Sequence, residues 1–242
     1  NAGGLYGIPL YGGLFVALFA LLLYVFITGI RMKDGTAFWR LIRLTIAAVT
    51  ASVLINAYFL LPAASQIAMR VKTTVSQSGG VSGLIEWASE ISASTSFLNL
   101  MRLEGIAEWY DNPQHPYAKF YLTNPVLIAL SYLWPLLVFV AVYKAKRDDR
   151  KPLVLFFFLI YLLGLFFAAG THAPLGFLYK LFLKYIPGFV VFRSPYFKFA
   201  PAIFLSSAVL VAYAVDLLRG RWRKFIWISF IGVVLVYHFP YF

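Results

Sequence analysis

The chain has 242 residues, of which 62% are hydrophobic, 19% aromatic and only 12% charged, with a net charge of +12. Length alone would suggest one or two soluble domains, but apolar runs of about twenty residues recur, the length an α-helix needs to cross a hydrocarbon core. The positive charge falls in short clusters between those runs, a pattern of membrane topology and lipid headgroups that sets nucleic acid aside as a partner.

Six apolar segments follow one another in chain order, at about 8–30, 42–62, 122–143, 152–170, 198–218 and 225–242. The sequence therefore predicts an all-α, polytopic transmembrane bundle of six spans, forming a single transmembrane domain over 1–242. The chain opens on Asn1 and closes inside an apolar run, so it is expected to be the later part of a longer membrane domain, with further domains or subunits as possible partners. Thirteen of the 21 basic residues lie in the three alternate loops after the first, third and fifth segments. The positive-inside bias assigns those loops to the cytoplasm and leaves two larger connections, 63–121 and 171–197, on the outer face of the cell membrane.

The first connection opens with TTVSQSGGVSG, a flexible loop by composition. LIEWASEI then places Leu84, Trp87, Ala88 and Ile91 at helical spacing, and Thr95 or Ser96 is suited to cap a second short helix, FLNLMRL. Both are expected to be amphipathic helices at the membrane surface. Asn124-Pro125 marks the start of the third span and Trp134-Pro135 a kink in it. In the second connection, PLGFLYKLFLKYI between Pro174 and Pro187-Gly188 predicts an interfacial helix, with Lys180 and Lys184 four apart on one face.

Charge singles out the second connection. Lys180, Lys184 and Arg193 occur there, with Lys198 at the outer end of the fifth span, and no carboxylate lies between Asp149 and Asp216. Uncompensated cations beside hydrocarbon call for an anion, supplied either by the acidic residues of the first connection or by a phosphate. Arg193 presents a fork suited to phosphate oxygens, and Lys198 adds a point charge. Snorkelling to headgroups is the plainer reading of Lys180 and Lys184. Glu86 with Glu90, and Glu104 with Glu108, have the spacing of water-facing pairs on a helix. Asp111 and His115 in DNPQH read as a capped turn rather than a metal site. No cofactor is implied; a divalent metal is left open.

LIEWASEISASTSFLNLMRLEGIAEWY resembles the outer loop of the mycobacterial arabinofuranosyltransferases that modify cell-wall arabinan, in which an acid precedes a Thr-Ser step and a Leu-Arg-Gly-like turn leads to a Trp. GTHAPLG and IPGFVVFRSPYFKF resemble a later outer loop of that family and of related bacterial envelope-glycosylation proteins, all of the GT-C class. The likeness covers roughly residues 54–216. It implies a sugar carried on polyprenyl phosphate and passed to a glycan or lipid acceptor at the outer leaflet. Glu86 then matches the loop acid, as catalytic base or as a positioning group. Arg193 and Lys198 match the cations for the departing phosphate, and Lys184, Lys180 and Arg102 join them as substrate-binding residues. The Leu-Arg-Gly step here reads LRLEG, and the principal carboxylate of that class belongs to an earlier loop, expected before Asn1. The runner-up reading is a noncatalytic membrane subunit or a transporter of lipid-linked saccharides.

Overall fold

The computed structural model describes residues 35–55, 57–110, 118–217 and 223–238, with 23, 25 and 27–29. Among these, all regular structure is helical. The α-helices are α1 (Gly35–Ile55), α2 (Ala57–Gln77), α3 (Gly80–Ile91), α4 (Phe97–Met101), α5 (Ala118–Thr123), α6 (Pro125–Ser131), α7 (Leu133–Lys144), α8 (Lys151–Ala169), α9 (Gly176–Tyr185), α10 (Pro195–Leu217) and α11 (Arg223–His238). Residues up to Ser65 and residues from Gln66 onward form separate compact units.

Four stretches are helical, long and apolar enough to cross a membrane: Phe38–Ile55, Pro125–Lys144, Lys151–Ala169 and Pro195–Leu217. The chain is a multi-pass membrane protein on that ground. Of the six expected spans, the first lies almost wholly outside the described residues. The described part of the last has only a ten-residue apolar stretch, Ile228–Tyr237, well short of the ~20 residues a crossing requires. In the first unit, α1 leaves Trp39, Leu44, Ile46, Leu54 and Ile55 exposed, as a helix facing hydrocarbon does.

The span 125–144 is two helices in sequence. Asn124 Oδ1 accepts from the amides of Val126 and Leu127, at 2.9 and 3.4 Å, and Pro125 occupies the first turn, where its missing N–H costs nothing. Pro135 has no N–H to offer the carbonyl of Ser131, and the helix breaks at Tyr132 between α6 and α7. Both features follow the sequence expectation.

One expectation is corrected in the connection 63–121. TTVSQSGGVSG is not a loop: α2 runs to Gln77 and α3 begins at Gly80, so the turn is Ser78 and Gly79, with Gly79 left-handed at φ 71°. The hydroxyls of Thr73 and Ser76 donate back to the carbonyls of Met69 and Thr73, at 3.0 and 2.8 Å, which lets polar side chains sit in a helix without competing for its amides. Beyond the turn, α3 buries Leu84 and Ala88, and Ser96 caps α4 by accepting from the Asn99 amide at 3.2 Å. Thr95 instead donates to the Ser92 and Ala169 carbonyls, tying this connection to the end of α8.

The second unit is built on α8 against α10, its most extensive helix pair. Small residues make that approach possible: a Cβ added at Gly164 would stand 3.0 Å from Ile203 Cγ1. At one end of the pair, Gly170 takes φ 57° and lies so close to Pro195 and Ser92 that a Cβ would meet them at 2.4 and 2.6 Å. Any side chain there would push the start of α10 off the end of α8. At the other end, Arg150 donates to Asp216 Oδ2 at 2.9 Å, its backbone amide donates to Asp148 Oδ1 at 2.8 Å, and Tyr213 donates to Asp148 Oδ2 at 2.9 Å.

These bonds, the Arg150 amide foremost, hold the Asp148 carboxyl below the ordinary aspartate range. A depressed acid stabilises the fold fully above its unfolded pKa and loses that contribution as pH falls through the folded one. Acid titration of thermal stability should therefore show a loss below the ordinary aspartate range that Asp148→Asn lacks; parallel curves for the two proteins would remove Asp148 from the latch.

Candidate functional site

Arg193 and Lys198 come together at a cleft of about 610 Å³ in the second unit. Met69, Val71, Thr73 and Thr74 of α2 form one wall. The other is formed by Val190 and Val191 of the turn Phe189–Phe192, followed by Arg193, Ser194 and Lys198. Ser194 and Lys198 are one helical turn apart, and the Lys198 amide donates to the Ser194 carbonyl at 3.3 Å. Ser194 immediately precedes α10, so the partly positive N-terminal end of a 23-residue helix also meets the cleft.

The local sequence explains why these side chains are held still. In FVVFRSPYFKF the aromatics recur on one side of the turn and pack in series: Phe167 of α8 stacks on Phe199 and Phe199 on Phe192, and Phe192 meets Phe189 at a tilt, with ring centroids 4.9, 5.3 and 5.3 Å apart. Tyr179 of α9 meets Phe189 edge-on at 5.2 Å and donates its hydroxyl to the Phe192 carbonyl at 2.5 Å. Rings of this kind lose little rotamer freedom on packing and add about 0.5–1.5 kcal/mol per pair beyond the area they bury. Arg193 therefore projects from a rigid aromatic base. Its guanidinium carbon lies 5.6 Å from the centre of the Trp87 ring of α3, a face contact that leaves the N–H fork free.

No carboxylate is among the described residues lining the cleft, and among the described residues neither Arg193 nor Lys198 is in an ion pair. An arginine fork, an ammonium and the hydroxyls of Thr74 and Ser194 beside an apolar wall suit an anion attached to an apolar body. Phosphate chemistry fits that donor set: bidentate donors for its oxygens and, among the described lining residues, no carboxylate to repel it.

The remaining expected residues lie elsewhere. Glu86 is exposed on α3, next to Trp87 in sequence but not among the cleft residues, and Glu90 is exposed as well. Lys180 and Lys184 are exposed on α9, whose buried residues are Gly176, Tyr179 and Leu183, and they line no part of the cleft. Arg102 is buried, 2.6 Å from Glu104 through Nη2 and 2.7 Å from Ser131 Oγ through Nε, with its guanidinium over Tyr132 at 4.9 Å. Its Nε and Nη2 are thus committed to protein. Among the described residues no group of three or more His, Asp or Glu is placed to hold a metal; Asp111 and His115 lie outside the described residues.

The Arg102–Glu104 pair is the polar feature that sequence reasoning missed. Glu104 and Glu108 do not share a water-facing helix: Glu104 is fully buried in a turn, while Glu108 is exposed. LRLEG ends α4 in a Schellman turn, with the Glu104 amide donating to the Asn99 carbonyl at 2.8 Å and the Leu103 amide to the Leu100 carbonyl at 3.1 Å. Leu103 stands at the left-handed position, φ 66°, where glycine is usual and where a branched side chain costs roughly 1–2 kcal/mol. That turn brings the side chains on either side of Leu103 onto each other. Tyr237 donates to Glu104 Oε1 at 3.3 Å, and Tyr110 donates to the Glu104 carbonyl at 3.0 Å. Burial raises the Glu104 carboxyl pKa despite the opposing pull of Arg102. Burial, with the nearby Glu104 charge second, pushes the Tyr110 hydroxyl up to about 12. An arginine and a glutamate separated by one residue were the only signal in the sequence.

No family model matches the chain, and no curated protein or solved structure matches it.

Proposed function

We propose that the protein is a membrane glycosyltransferase of the GT-C kind, which moves a sugar from a polyprenyl-phosphate donor to a cell-envelope glycan or glycolipid on the outer face of the membrane. The observation that carries this reading is the cleft that holds Arg193 and Lys198 beside an apolar wall, with no carboxylate among its described residues. In such a transfer the acceptor hydroxyl gives up its proton as its oxygen bonds to the anomeric carbon, and the bond from that carbon to the phosphate oxygen breaks. Negative charge grows on the departing phosphate. Fixed cations there stabilise the transition state more than the ground state, which is the condition for acceleration. Under this reading Glu86 is the base or an acceptor-positioning group, brought to the donor from the neighbouring face of α3.

The sidedness is part of the proposal: the basic loops are cytoplasmic, and 63–121 and 171–197 lie outside. The chain contains no cysteine, so single substitutions report cleanly. An impermeant maleimide added to intact cells is expected to label Ser78→Cys but not Lys146→Cys, an exposed position in the loop between the spans Pro125–Lys144 and Lys151–Ala169. Labelling of the second alone inverts the assignment.

A second reading, a noncatalytic subunit or transporter of lipid-linked saccharides, is favoured by one observation: Glu86 is not among the residues lining the cleft. Proteoliposomes supplied with a radiolabelled polyprenyl-phosphate sugar separate the two. If Glu86 is chemical, Glu86→Gln is expected to bind the donor like the parent chain and lower transfer by about 10²–10⁴-fold, the range for a general base. Parent-level transfer by the variant removes Glu86 from the mechanism, and donor binding without any transfer by the parent chain supports the second reading.

A further inference from the structure

We infer that α9 is a membrane-docking helix whose outward face seats in an anionic lipid leaflet through Phe177, Leu181 and Tyr185, with Lys180 and Lys184 meeting the headgroups. This does not rest on the proposed activity. It starts from the fact that α9 has two apolar faces, only one of which is used inside the described protein. At about 100° per residue, Gly176, Tyr179 and Leu183 fall on one narrow line. All three are buried, Tyr179 and Leu183 in a cluster with Ala88 of α3. On the opposite side, Phe177, Leu181 and Tyr185 recur every fourth residue and are 58%, 44% and 65% exposed.

A surface helix whose second face meets water carries polar residues there. α9 instead presents three large apolar side chains flanked along one edge by Lys180 and Lys184, both exposed, the whole stripe being about 140° wide. No acid lies on the helix. Apolar residues edged by lysines are the make-up of helices that lie in the plane of a bilayer surface, the stems covering apolar surface and the ammonium groups reaching phosphates.

The connectivity supplies the occupant. α9 follows the membrane helix α8 after residues 170–175, a linker that reaches no more than about 20 Å fully extended, and it precedes the membrane helix α10. Both neighbours cross a membrane, so the helix is held within reach of that membrane's surface. Charge complementarity then selects anionic lipid over zwitterionic lipid.

Spin labelling tests this directly, since the chain has no cysteine to remove. The chain carrying Phe177→Cys or Leu181→Cys, each nitroxide-labelled, is reconstituted into vesicles of phosphatidylcholine and into vesicles that also contain phosphatidylglycerol. Collisions with oxygen are expected to exceed collisions with an aqueous nickel complex several-fold at both positions. At Ser76→Cys, an exposed reference on α2, the order should reverse. Immersion should be greater with phosphatidylglycerol present, and Lys180→Gln and Lys184→Gln should each reduce the immersed population about fivefold there. Nickel access at 177 and 181 equal to that at 76 overturns the proposal. So does dipolar broadening from a second copy, or a label shielded from both reagents by protein. Equal immersion in the two lipids overturns the anionic requirement.

Discussion

Glu104→Ala is expected to destabilise the protein by about 3–5 kcal/mol, the cost of leaving one member of a buried ion pair without its partner. The Arg102 side chain is 10% exposed and that of Glu104 is not exposed, so neither charge has water to fall back on. Removing the carboxylate strands a guanidinium whose nearest remaining partners are the Ser131 hydroxyl and the Tyr132 ring. It also removes the acceptor of the Tyr237 hydroxyl and takes away the pairing that offsets the left-handed Leu103. Thermal unfolding in detergent reads the loss. The double variant Arg102→Met with Glu104→Leu should recover most of it, because taking out both charges removes the desolvation cost along with the attraction.

The pH dependence of that contribution has a definite sign. Burial raises the Glu104 pKa, so the folded state holds this proton more tightly than the unfolded chain. The Glu104 contribution is largest below the ordinary glutamate range and falls as pH rises toward the raised value. Glu104→Gln should flatten that slope. Unfolding temperatures of Glu104→Ala within measurement error of the parent would show that the pair is not a structural element at all.

Arg193→Ala is expected to weaken binding of a polyprenyl phosphate in mixed micelles by about 10–100-fold, the equivalent of roughly 1.5–3 kcal/mol for a charge-assisted hydrogen bond. The guanidinium is the only fork among the described cleft residues, and no carboxylate competes for it there. Arg193→Lys should recover part of the loss, since it keeps the charge and forfeits the bidentate geometry. Lys198→Ala should cost less, because the ammonium is exposed and screened by salt. Trp87→Ala, which removes only the ring face beneath the guanidinium, should cost about 0.5–1 kcal/mol. An Arg193→Ala protein with undiminished affinity would falsify the phosphate role of the cleft, whatever the fate of the transfer reaction.

Short-range rules account for what could be read from the chain before any coordinates. Twenty-residue apolar runs fixed the helical, membrane-crossing class, and Asn124-Pro125 and Pro135 placed a helix start and a break, because capping and the missing proline N–H act within one turn. The absence of acids from 150–215 marked the cationic stretch without any coordinates. Composition misjudged TTVSQSGGVSG, where hydroxyls bonding back to helix carbonyls keep α2 helical to Gln77.

Which cations share a site was set by packing between segments far apart in the chain. Arg193 and Lys198 meet at the cleft because a stack of rings from α8, α9 and α10 fixes the turn that carries them. Arg102 is withdrawn into the protein because one left-handed leucine folds LRLEG back on itself. Lys180 and Lys184 stay exposed beside, not within, the buried line of their helix, where Tyr179 and Leu183 pack in a cluster with Ala88. Five cations alike in sequence thus divide by partner: charge is a property of a residue, but whether that charge is free, paired or left exposed depends on what packing brings within about 4 Å of it.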